Sequence, residues 1–164
     1  FQSDIETKAV QVLGMRQPVA IDLRQLLAVL KISSELERIG DYTANTAKRI
    51  LKMDTTIETE PGKLMIQMAE VCRQMIDDSM DSLLTLDLEQ ATAIWKKDDE
   101  VDSLFSRLVG KARAGASGGE EAIDDYTELI FMGRYFERIG DHITNIVENI
   151  YYIKTGQTYV GQLD

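Results

Sequence analysis

The stretch Glu35-Leu-Glu-Arg-Ile-Gly-Asp-Tyr-Thr-Ala-Asn45 returns one hundred residues later as Tyr135-Phe-Glu-Arg-Ile-Gly-Asp-His-Ile-Thr-Asn145, with Glu-Arg-Ile-Gly-Asp identical in both copies. So close an internal repeat marks a duplicated structural unit. Glu37, Asp41 and Asn45, and again Glu137, Asp141 and Asn145, step by four, so on a helix each set forms one polar line.

Around the first copy, helical periodicity puts Leu23, Leu27, Leu30, Ser34, Glu37, Asp41 and Asn45 on one side, a leucine stripe that turns acidic halfway along. Arg24, Lys31, Glu35, Arg38 and Arg49 fall elsewhere and are expected to meet water, leaving Glu37 and Asp41 at the edge of the packed face. Carboxylates at this spacing repel by about 0.2–0.5 kcal/mol when exposed, and by more when desolvated. A positive partner is therefore expected between them. It is either an arginine or lysine from a neighbouring helix or a hard cation held by oxygen ligands. The duplication, with Asn45 and Asn145 kept beside the carboxylates, favours the cation.

The chain has 164 residues, 44% of them hydrophobic, and only two prolines. Long proline-free stretches of helical period, without runs of β-branched alternation, predict an all-α protein. A formal charge of −10 argues against nucleic acid and anionic membrane surfaces and eases cation binding. The single cysteine, Cys72, excludes an internal disulfide framework and sits among Met68, Met75 and Ile76 as a core residue. No apolar run reaches the ~20 residues of a membrane span.

The spacing predicts helices over 1–15, ending near Gly14, and over 19–53, with Pro18 opening the second. Residues 54–62 read as a linker with Pro61 suited to a helix start. A third helix carries Leu64, Met68, Cys72, Met75, Ser79, Leu83 and Leu86 on one face to about Asp87. A fourth runs from 88 to 114 with Ile94, Asp98, Asp102, Phe105 and Val109 on one side and Trp95 as a core anchor. Residues 115–119 read as a flexible loop, 120–154 as the last helix, Gly156 as its stop and 157–164 as a loose tail. The interior glycines Gly40 and Gly140 each cost roughly 1 kcal/mol against alanine, so their repetition points to close approach of another backbone or a ligand.

Asp4 precedes Glu37 much as Asp102 precedes Glu137, and Asp98 lies one turn before Asp102. The counterpart of Asp98 in the first copy would fall before Phe1. The sequence therefore predicts two units, a partial first repeat over 1–57 and a complete second repeat over 58–164, in a chain expected to be a fragment.

Asp22-Leu-Arg24, Leu30-Lys-Ile32 and Glu37-Arg-Ile-Gly-Asp41, then Glu137-Arg-Ile-Gly-Asp-His142 with Asn145-Ile146, resemble the PhoU family of bacterial phosphate-signalling proteins across essentially the whole chain. The resemblance implies tandem three-helix bundles, the first incomplete here because its first helix is missing. It also implies a cytoplasmic negative regulator of phosphate uptake and the phosphate-starvation response. Such a regulator contacts the phosphate-transporter ATPase and the sensor histidine kinase. Some members hold multinuclear iron or zinc clusters through paired acidic motifs. These map onto Asp98 and Asp102 with Glu137 and Asp141, and onto Asp4 with Glu37 and Asp41. Magnesium, manganese, calcium or nickel would suit the same oxygen donors.

A ferritin-like di-iron enzyme is the natural rival, but it wants a Glu-x-x-His from each of two helices, and this chain has one histidine. His142 follows Asp141 directly, about 100° round the helix, and reads as a surface or packing residue. No nucleophile–base set or phosphate-cradling loop is present, so no enzyme is expected. The other rival is a metal-free helical adaptor whose acidic rows receive basic residues of a partner. Finally, an apolar groove along Ile5, Val12, Leu26, Leu36 and Ile50 predicts self-association of the first-repeat helices as a two-fold dimer.

Overall fold

A computed structural model describes residues 1–53, 59–115 and 120–159, and every described element is an α-helix: α1 (Gln2–Arg16), α2 (Ile21–Ile50), α3 (Glu60–Thr85), α4 (Leu88–Gly115) and α5 (Glu120–Thr155). Most of the expected linker, the loop after Gly115 and the end of the tail lie outside the described residues. Among the described residues, no helix is long and apolar enough to cross a membrane.

The helix ends follow local chemistry. Gly14 lies inside α1, which continues to Arg16 and stops at Gln17 in the left-handed region, φ 43°. Pro18 does not open α2; Ala20 caps it at φ 49° and the helix starts at Ile21. Thr59 caps α3 by accepting from the Gly62 amide at 3.2 Å, with Pro61 in the first turn. Leu86 turns left-handed after α3, and the Asp87 carboxylate accepts from the Glu89 and Gln90 amides to start α4. Gly156 ends α5 at φ 75°.

Helices α3, α4 and α5 pack on one another, α2 lies along α5, and α1, among the described helices, packs on α2 alone. Met68, Met75 and Met132 are wholly buried with Leu108, Ile143, Ile146 and Ile150, so the methionines fill core rather than line an open groove. The tail is not loose up to Tyr159. That ring meets the edges of Trp95 and Tyr151 at centroid distances of 5.6 and 5.1 Å.

The packing of α2 overturns one expectation. Lys31 and Arg38 face water but Arg24, Glu35 and Arg49 are half-buried, the last two against α5, while Leu27 on the leucine stripe is 41% exposed. The buried line is Ala28, Ile32, Ile39 and Thr46, interleaved with Glu35, Tyr42 and Arg49 at alternating steps of three and four. Such a seam is what a helix needs to lie along a near-parallel neighbour. Leu36, assigned to an open groove from the sequence, is half-buried: it packs against the core on one side and lines a cleft between α1 and α2 with Ile5 on the other.

Candidate functional site

In the second repeat, α4 carries Asp98 and Asp102 one turn apart, and α5 carries Glu137 and Asp141 likewise. Ile94 and Val101 on α4 are buried, as are Ile139 and Ile143 on α5, so packing on either side brings the two acidic rows together. Asp98 Oδ1 and Glu137 Oε2 are buried without a hydrogen-bond partner among the described residues. An unpaired buried carboxylate oxygen is costly, and native structures seldom leave one unexplained.

The electrostatics agree with the crowding. Burial pushes the Asp98 carboxyl up to about 7, reinforced by Asp102 and Asp141 and less by Asp99 and Glu137. Asp102 and Glu137 are also raised, each first by burial, and in both Arg134 opposes the rise. Arg134 Nη1 ion-pairs with Glu137 Oε1 one turn along α5, from a side chain that is 46% exposed. Beneath the row, burial and then Asp98 hold the Cys72 thiol up at about 12; its Sγ donates to the Phe136 carbonyl at 3.5 Å. Among the described residues, no three His, Cys, Asp or Glu side chains stand in ion-holding geometry.

The first repeat is arranged differently. Glu37, Asp41 and Asp4 are all exposed, the Asp4 side chain to 82%, and Asn45 is half-buried; in the second repeat Asp102 and Asp141 are exposed too, and the difference lies in Asp98 and Glu137, which are half-buried. Glu37 borders a cleft of about 230 Å³ between α1 and α2 with Ile5, Ser33 and Leu36. Gly40 faces open space, whereas a side chain at Gly140 would collide with the Asp98 carboxylate. The close approach expected of both glycines thus occurs at one.

Sequence reasoning missed a polar seam between the repeats. Glu35 accepts from His142 Nδ1 at 2.6 Å and from Asn145 Nδ2 at 3.2 Å. Arg49 Nη1 donates to Glu128 at 2.5 Å and its Nε to the Tyr135 hydroxyl at 3.2 Å, with the guanidinium over the Phe131 ring. These bonds hold the Arg49 pKa up, chiefly through Glu128. His142 is therefore a packing residue, and Asn145 turns towards Glu35. The signal that could have found the seam is the alternating three-four spacing of 28, 32, 35, 39, 42, 46 and 49, repeated one hundred residues on.

Comparison with known proteins places this arrangement. The PhoU domain family matches residues 1–50 and 65–150. A phosphate-specific transport system accessory protein PhoU homolog from Caulobacter vibrioides is 36% identical over 166 residues, covering 99% of this chain and 71% of the relative. Its counterpart from Clostridium acetobutylicum is 34% identical over 158 residues, covering 96% and 72%. The crystal structure of the phosphate transport system regulatory protein PhoU from Streptococcus pneumoniae superposes with a TM-score of 0.87 at 27% identity, covering 97% of this chain and 74% of that one. PhoU from Pseudomonas aeruginosa gives 0.88 at 26% identity, covering 95% and 75%. An all-α helical bundle with its duplicated Glu-Arg-Ile-Gly-Asp motif and a family match over most of its length, the chain belongs to the PhoU family, regulatory accessory proteins of phosphate transport rather than enzymes.

Proposed function

We propose that this chain is a cytoplasmic, metal-binding negative regulator of phosphate uptake that contacts the phosphate-transporter ATPase and the sensor histidine kinase. The observation that carries the metal is the pair of buried, unpartnered oxygens, Asp98 Oδ1 and Glu137 Oε2, in a row that also holds Asp102 and Asp141. Oxygen donors of this kind fit a hard or borderline cation, with iron or zinc first by family resemblance. A bound ion would neutralise the row and tie α4 to α5. Asp4, Glu37 and Asp41 would serve a weaker, solvated site in the first repeat, beside Asn45. Pull-downs with both partners, in metal-replete and metal-free buffer, test the role. Capture of either supports it, and no capture in either buffer counts against it.

The second reading, a metal-free adaptor, is favoured by Arg134. Its ion pair with Glu137 shows a basic group meeting the row in the way a partner's arginine would. Metal analysis separates the two.

Self-association belongs to the same proposal. Val10 and Leu13, one turn apart on α1, are 68 and 37% exposed, and α1 buries only Ala9, so a second copy packing two-fold across α1 and α2 would cover this face. Light scattering tests it; a stable monomer at tens of micromolar would defeat it.

A further inference from the structure

The repeated motif contains one residue whose two copies have identical neighbours in sequence and opposite surroundings in space. At Gly40 a Cβ would meet nothing within 4 Å. At Gly140 it would collide with Asp98 Oδ1, with the Asp98 Cγ at 3.4 Å and the Val101 Cγ1 at 3.8 Å. The atom met is the far end of the Asp98 side chain, which can turn aside, while α4 itself is held by Ile94 and Val101, 2 and 0% exposed in a close-packed core; a side chain at 140 would therefore displace the Asp98 carboxylate rather than the helix. Glycine is a poor helix former, so keeping it inside α5 at this point opposes local stability.

We propose that Gly140 is a positioning residue of the second-repeat cation site. By presenting no side chain where α5 passes Asp98, it admits the Asp98 carboxylate to the line of Glu137 and Asp141. Gly40 has no such duty. The two motifs, equal in sequence, are thus unequal as sites. The inference rests on the cation reading above for its ligand, but the steric half stands on the Asp98–Gly140 contact alone.

The experiment uses the 164-residue chain with Gly140→Ala, Gly40→Ala, Asp98→Ala and the double variant Gly140→Ala/Asp98→Ala. Urea midpoints are measured in metal-free buffer, and zinc affinity by titration calorimetry. Gly40→Ala is expected to raise the midpoint or leave it, and to bind zinc within twofold of wild type. Gly140→Ala is expected to weaken zinc at least tenfold by turning the Asp98 carboxylate out of the row, and to change the midpoint less favourably with that carboxylate present than in the Asp98→Ala background. Should Gly140→Ala alone fail to fold, the double variant carries the test: a folded double variant supports the inference. An equal midpoint change with and without the Asp98 carboxylate, or a double variant that also fails to fold, overturns it. Zinc binding that survives Gly140→Ala within twofold overturns this assignment alone, whereas wild type that takes up no zinc overturns the cation reading with it.

Discussion

Glu35 of the first motif and His142 of the second share a 2.6 Å hydrogen bond across the α2–α5 seam. Exchanging each residue for its repeat counterpart gives Tyr135 and Tyr42, whose rings also meet, at a centroid distance of 5.6 Å. Contacts that map onto themselves under exchange are the mark of a two-fold interface, here formed within one chain. Tyr42 also stacks on His142 at 5.6 Å, so the four side chains form one cluster at the centre of the seam.

Removing Glu35 leaves His142 Nδ1 and Asn145 Nδ2 without their acceptor in a partly buried place; the His142 and Glu35 side chains are 15 and 20% exposed. Glu35→Ala should destabilise the chain by about 1–3 kcal/mol, the usual cost of orphaning such groups. Urea unfolding measures it, and a loss under about 0.5 kcal/mol, the range of ordinary surface changes, would deny the seam its structural role.

The acidic row should give metal-free protein a distinctive pH dependence. Burial and its neighbours hold the Asp98 carboxyl up to about 7, above its ordinary value of 3.8. Between these values the folded chain keeps a proton that the unfolded chain has lost. Stability from this group is therefore complete below the lower value and falls as pH rises to about 7. Asp102 and Glu137, also raised, act in the same direction. The difference in urea midpoint between Asp98→Asn and wild type should widen in favour of the variant from pH 5 to pH 7.5. A difference independent of pH would contradict the crowding.

Arg134 competes with any cation for Glu137. Arg134→Gln removes that tethered charge, and cation affinity should rise several-fold, in keeping with the fraction of a kcal/mol to about 1 kcal/mol that half-exposed ion pairs contribute. Zinc titration reads the change. A fall in affinity would mean instead that Arg134 orders the ligands.

Helix number and type were legible because four of the five apolar patterns run for many turns and the repeat checks α1 against α4 and α2 against α5. The acidic rows were legible as lines on single helices, since a four-residue step fixes their alignment whatever surrounds them. The facing of α2 was not. Its leucines draw attention to one side, while the side that α5 covers is marked by Glu35, Tyr42, Thr46 and Arg49, polar groups that become buried only by pairing with α5. The inequality of Gly40 and Gly140 was likewise hidden, because it depends on Asp98, a residue of another helix.

The most direct test is the metal content of protein purified without chelator, wild type beside Asp98→Ala and Asp141→Ala. A cation in the second-repeat row predicts bound iron or zinc in wild type and its loss from both variants, with helical content kept. Wild type free of metal after growth in metal-replete medium, or variants that retain it at unchanged stoichiometry, would contradict the account.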